Sequence, residues 1–90
     1  MKKSDDVKFE YTITDELGIH ARPAGALIQH VKNFDSKVTI TLKDKTVDAS
    51  SIISLMTLQA KTDDTIVVEA IGADEKEAIE DIKSFMEENF

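Results

Sequence analysis

Cysteine is absent from the 90 residues, which excludes disulfides, thiolate catalysis and any cysteine-based metal site. No apolar run approaches the roughly 20 residues that a membrane span requires. Met1-Lys2-Lys3 leads into Ser4-Asp5-Asp6 rather than into the apolar centre of a signal peptide. A basic footprint is missing too: the net charge is −7, the wrong sign for nucleic acid. There is no glycine-rich nucleotide loop, no set of side chains at metal-ligand spacing and no second catalytic base. Low-complexity segments, internal linkers and usable repeats are also lacking. These absences point away from a metal, a cofactor, direct membrane insertion and a self-contained enzyme.

What is present describes a globular chain. Hydrophobic residues make up 41% and charged residues 32%, a balance that supports one modest core over residues 1–90. Residues 1–6 are expected to be disordered, and a cytoplasmic location is expected from the missing targeting signals. Residues 61–90 hold three lysines against ten acids, so the whole net charge of −7 belongs to that third. Residues 1–60 balance to zero and do not oppose an anionic ligand. The acidic third itself reads as a solvated helix face.

Val7, Phe9, Tyr11 and Ile13 alternate with polar residues at the period of a half-buried strand. Asp15-Glu16-Leu17-Gly18 breaks the strand in a turn. Helical spacing of Ala24, Leu27, Ile28 and Val31 predicts a helix from Ala21 to Lys32, with Phe34 closing its face. Val38, Ile40 and Leu42 predict a second strand, returning through Val47 after Lys43-Asp44-Lys45 as a hairpin. Ser51 to Leu58 predicts a short helix with Ile52, Leu55 and Met56 on one side, and Thr65 to Ile71 a buried strand. Asp74 suits the N-cap of a last helix, with Glu77 as its capping-box partner and Ala78, Ile79, Ile82, Phe85 and Met86 as the buried stripe. The order β-α-β-β-α-β-α implies an α+β fold, with helices on one face of a mainly antiparallel sheet.

Chemistry concentrates in Gly18-Ile19-His20-Ala21-Arg22-Pro23-Ala24, which holds the only proline and the only arginine. Pro23 belongs in the first turn of a helix, where a missing N–H costs nothing. His20 therefore falls at or next to the N-cap. Free first-turn N–H groups, those of Arg22 and Ala24 included, are expected to face an anion, aided by the helix dipole. Beside that anion site, the His20 ring nitrogen is a candidate nucleophile. Arg22 adds a planar donor fork suited to phosphate oxygens. A nucleophilic ring, an anion cradle and a guanidinium are parts for phosphoryl transfer through phosphohistidine. His30, ten residues on, shows no partner in sequence and reads as a helix-surface residue.

This stretch resembles the signature of HPr, the histidine-containing phosphocarrier family of the bacterial sugar phosphotransferase system. The resemblance runs from about Val7 to Phe85 and includes Gly72-Ala73-Asp74-Glu75 before the last helix. It implies an open-faced sandwich with three helices on one face of a four-stranded antiparallel sheet. It implies a monomeric carrier rather than an enzyme, with His20 taking phosphate on Nδ1 from enzyme I and passing it to IIA domains of sugar transporters. Arg22 would assist, and Ala21, Arg22, Pro23 and Ala24 would cradle the phosphate.

A second stretch, Lys45-Thr46-Val47 through Leu55-Met56, aligns Ser51 with the family's regulatory serine. An HPr kinase/phosphorylase would phosphorylate it, and a catabolite repressor would then dock. Physically, either Ser50 or Ser51 suits the N-cap there. Ile52, Leu55 and Met56 would form a docking patch, as in the family. Ser50, Ser54 and Gln59 depart from the family's usual basic residue and glycines, and Gly25 replaces a typical alanine or threonine. Two other roles follow from the same resemblance: a carrier in a regulatory, nitrogen-type phosphotransfer chain, or a repressor-docking domain acting through phosphorylated Ser51.

Overall fold

Alternating strands and amphipathic helices meet in a computed structural model that describes residues 7–90. The expectation about residues 1–6 lies outside the described residues. The elements are β1 (Lys8–Thr12), α1 (Ala21–Lys32), β2 (Lys37–Leu42), β3 (Lys45–Asp48), α2 (Ile52–Thr57), β4 (Thr65–Ile71) and α3 (Glu75–Asn89). The strands form one sheet in the order β1-β4-β2-β3, antiparallel at every pairing.

Register puts one apolar set on one face, because side chains alternate along a strand. Phe9 and Ile40 both sit opposite Val68, Tyr11 opposite Ile66, Val38 opposite Ala70, and Val47 opposite Ile40. The three helices cover that face: Leu27, Leu55, Ile82 and Met86 are fully buried with Ile40, Ile66 and Val68. Lys8, Glu10, Thr12, Thr41 and Thr46 lie on the opposite face, where Thr41 and Thr46 hydroxyls pair at 2.8 Å.

The capping expected at the start of α3 needs correction. Asp74 does occupy the N-cap position, but its side chain does not cap its own helix. Its carboxylate accepts from the Ser36 hydroxyl at 2.6 Å and from the N–H groups of Asp35 and Ser36 at 2.9 and 3.0 Å. Three donors presented by the α1–β2 connection outcompete the first-turn amides, and they hold the carboxyl below its ordinary range, the Ser36 hydroxyl most strongly. Glu77 is exposed and closes no capping box; Glu75 instead accepts from the Gly72 N–H at 3.1 Å.

His30 lies on the surface of α1, its side chain 37% exposed, and finds its partners on α3. Its Nδ1 lies 2.6 Å from the Asp81 carboxylate, and its ring packs on Phe85 with centroids 4.5 Å apart. The pair ties α1 to α3 across 51 residues of sequence.

Candidate functional site

The turn before α1 is fixed by its backbone. Gly18 has φ +67°, and a Cβ there would fall 2.3 Å from the Ala60 carbonyl oxygen. Only glycine meets both conditions. The Ile19 N–H then donates to that same carbonyl at 3.1 Å, and the Ile19 side chain is buried. His20 follows in extended conformation (φ −126°, ψ 171°) as the N-cap of α1.

The His20 side chain makes no capping bond. Its carbonyl accepts from the Ala24 N–H at 3.0 Å, closing the first helical ring. The expectation for Ala24 is thereby corrected: with the N-cap at His20, the amide four residues on is already satisfied. The amides of Ala21 and Arg22 remain as the first-turn donors, since Pro23 has none. Pro23 and Ala24 are buried and serve the helix's packing; Ala21 and Arg22 are exposed. Arg22 makes no hydrogen bond or ion pair among the described residues.

His20, Arg22 and Pro23 share a shallow cleft with Asp15, Ala26 and Asn89. Asp15 and Asn89 were not among the candidates read from sequence. Asn89 arrives from the far end of the chain, its side-chain amide donating to the Phe85 carbonyl at 2.9 Å. Asp15 comes from the turn itself, with Oδ2 3.7 Å from His20 Nε2 and both side chains 31% exposed. An acid five residues before a histidine is no signal until Gly18 folds the turn back. Among the described residues no group of three or more histidines, cysteines or acids is placed to hold a metal ion.

At α2, Ser51 is the N-cap: its hydroxyl accepts from the Ser54 N–H at 3.3 Å. Ser50 is turned the other way, donating its hydroxyl and N–H to the Asp48 carboxylate at 2.7 and 2.8 Å. Those two bonds, the hydroxyl first, hold the Asp48 carboxyl below its usual range. Of the three apolar residues expected to form a patch, Leu55 is corrected to the core, being 0% exposed. Ile52 and Met56 are partly exposed at 39% and 36%, and Ile53, not anticipated, is 76% exposed. A helix on a sheet buries a narrow stripe, and in six residues that stripe is Leu55.

Comparison with known proteins gives consistent matches. The family described as "PTS HPr component phosphorylation site" matches residues 7–88. The phosphocarrier protein HPr of Mycoplasma capricolum is 39% identical over 79 residues, covering 88% of this chain and 89% of that protein. HPr of Mycoplasma genitalium is 40% identical over 83 residues, covering 91% and 94%. The solved structure of a mycoplasma histidine-containing phosphocarrier protein superposes with a TM-score of 0.87 at 38% identity, covering 90% of this chain and 92% of that one.

Proposed function

The chain belongs to the HPr family of phosphocarrier proteins of the phosphotransferase system, and we propose that His20 is the residue that carries its phosphate. On this reading it accepts a phosphoryl group from enzyme I and hands it to IIA domains of sugar transporters. One observation carries the proposal: His20 stands outside α1 in a cleft with Arg22, next to the two unpaired amides of the first turn. In the transfer, a ring nitrogen lone pair forms the N–P bond while the bond from phosphorus to the donor breaks. The electron pair of that bond leaves with the donor. Charge on the three phosphoryl oxygens meets the Ala21 and Arg22 amides, the helix dipole and the Arg22 guanidinium.

The described residues form one core, which supports a single domain; on this reading it is a monomeric, cytoplasmic carrier that works as a covalent intermediate rather than as an enzyme. Among the described residues no helix is long and apolar enough to cross a membrane. Incubation with phosphoenolpyruvate and enzyme I, read by intact mass, should add one phosphoryl group that acid removes. A chain that gains no mass contradicts the carrier reading.

A regulatory role for Ser51 is favoured by its place at the N-cap of α2, bordering exposed Ile52, Ile53 and Met56. An ATP-dependent HPr kinase/phosphorylase would phosphorylate it, and a catabolite repressor would read the product. The phosphate's charge of about −1.5 to −2 would oppose an acidic partner at the apolar patch without unfolding the helix. Ser51→Asp should therefore slow phosphate arrival at His20, measured as the transfer rate from enzyme I. A full-speed Ser51→Asp protein, or kinase labelling confined to Ser50, removes this role.

A further inference from the structure

We propose that Asp15 is a positioning residue for His20, holding the proton on Nε2 so that Nδ1 keeps the lone pair that attacks phosphorus. This rests on the carrier reading of His20.

Asp15 is held at every other polar group. Its N–H donates to the Phe90 carbonyl at 2.8 Å, and its own carbonyl accepts from the Thr62 hydroxyl at 2.6 Å and the Gly18 N–H at 3.0 Å. Its Oδ1 accepts from the Leu17 N–H at 2.8 Å. These four bonds, which reach segments near residues 60 and 90, leave Oδ2 facing His20 Nε2 at 3.7 Å. That distance is longer than a hydrogen bond, and such contacts tighten when a site is engaged. A carboxylate accepts and does not donate, so it favours the tautomer with its proton on the facing nitrogen. Behind a working histidine, a carboxylate fixes tautomer and ring orientation and stabilises the ring's positive charge.

The balance of the step fits. Nδ1 forms the bond to phosphorus, and the donor departs with the electron pair of its own bond to phosphorus. The Nε2 proton stays where it was, and the ring becomes an imidazolium bearing the phosphoryl group. Asp15 neutralises that new charge from the edge of the ring opposite the incoming anion.

Asp15→Asn makes a sharp test because it inverts the contact while keeping the turn. The amide oxygen can still accept from the Leu17 N–H, which turns the NH₂ toward Nε2. A donor there favours the opposite tautomer, with the proton on Nδ1. Imidazole ¹⁵N shifts of the neutral ring should show predominantly Nε2–H in the parent and a swing toward Nδ1–H in Asp15→Asn. Phosphate acceptance from enzyme I should fall by about 10- to 100-fold, the range seen when a carboxylate orienting a metal-bound histidine is lost. Asp15→Ser keeps an oxygen for the turn but withdraws the facing atom; it should slow acceptance without inverting the tautomer. An unchanged tautomer, or an unchanged rate, in Asp15→Asn overturns the proposal while labelling of parental His20 leaves the carrier reading standing. A parent that takes no phosphate on His20 overturns both.

Discussion

Arg22 separates charge from shape. Its guanidinium is exposed at the mouth of the cleft and holds no partner among the described residues, so it is available to an incoming anion. Arg22→Lys keeps the charge but loses the planar fork, and transfer should slow with stability unchanged. Arg22→Glu should be slower still, because it sets a carboxylate against the phosphate. Transfer rates and urea midpoints for both variants check this; two parental rates would reduce Arg22 to a surface charge. The placement of His20, Arg22 and Pro23 at the start of α1 was legible because a helix start carries its own signature in sequence. The occupation of the Ala24 amide was not, because the sequence leaves His20 at or next to the N-cap and only the observed helix start closes the bond from Ala24 to the His20 carbonyl. Asp15, Asn89 and the His30–Asp81 pair were not, since each depends on chain segments brought together only by the tertiary fold.

At the level of elements, hydrophobic period, turn signals and β-branched content together located all seven, and α1 and β4 fall on the predicted boundaries. The period was weakest where the element was shortest. Six residues of α2 make under two turns, too few to tell which apolar side chain faces inward. The structure buries Leu55 and exposes Ile53. Leu55→Ala should cost about 2–5 kcal/mol through lost burial and the cavity left behind. Ile53→Ala should stay within about 0.5 kcal/mol, as exposed substitutions do. Thermal or urea unfolding of the two variants reads the difference, and equal losses would contradict the orientation of α2. Capping chemistry misled at α3 for a different reason. Asp74 had the right residue type in the right place, but donors from another element claimed its carboxylate.

For the molecule as a whole, Asp74 fastens the α1–β2 connection to the start of α3, and this tie gives stability a dependence on pH. Its carboxyl is depressed in the folded state by the Ser36 hydroxyl and the Asp35 N–H. A depressed folded value means the contribution is complete above the unfolded carboxylate pKa of about 3.9 and is lost as pH falls through the folded value. Asp74→Asn should therefore be less stable than the parent near neutral pH, with the deficit shrinking below about pH 4. Urea midpoints at both pH values check the sign; a deficit independent of pH would contradict it. Fold order was readable from sequence because each layer's apolar face repeats at its own period. What joins the layers at a site was not. The central claim is that phosphate rests on His20, and the most direct measurement is fragment mass mapping after phosphoenolpyruvate and enzyme I treatment of the parent, His20→Ala and His30→Ala. The phosphoryl group should map to His20 in the parent and in His30→Ala, and be missing from a folded His20→Ala. Undiminished labelling of His20→Ala would contradict it.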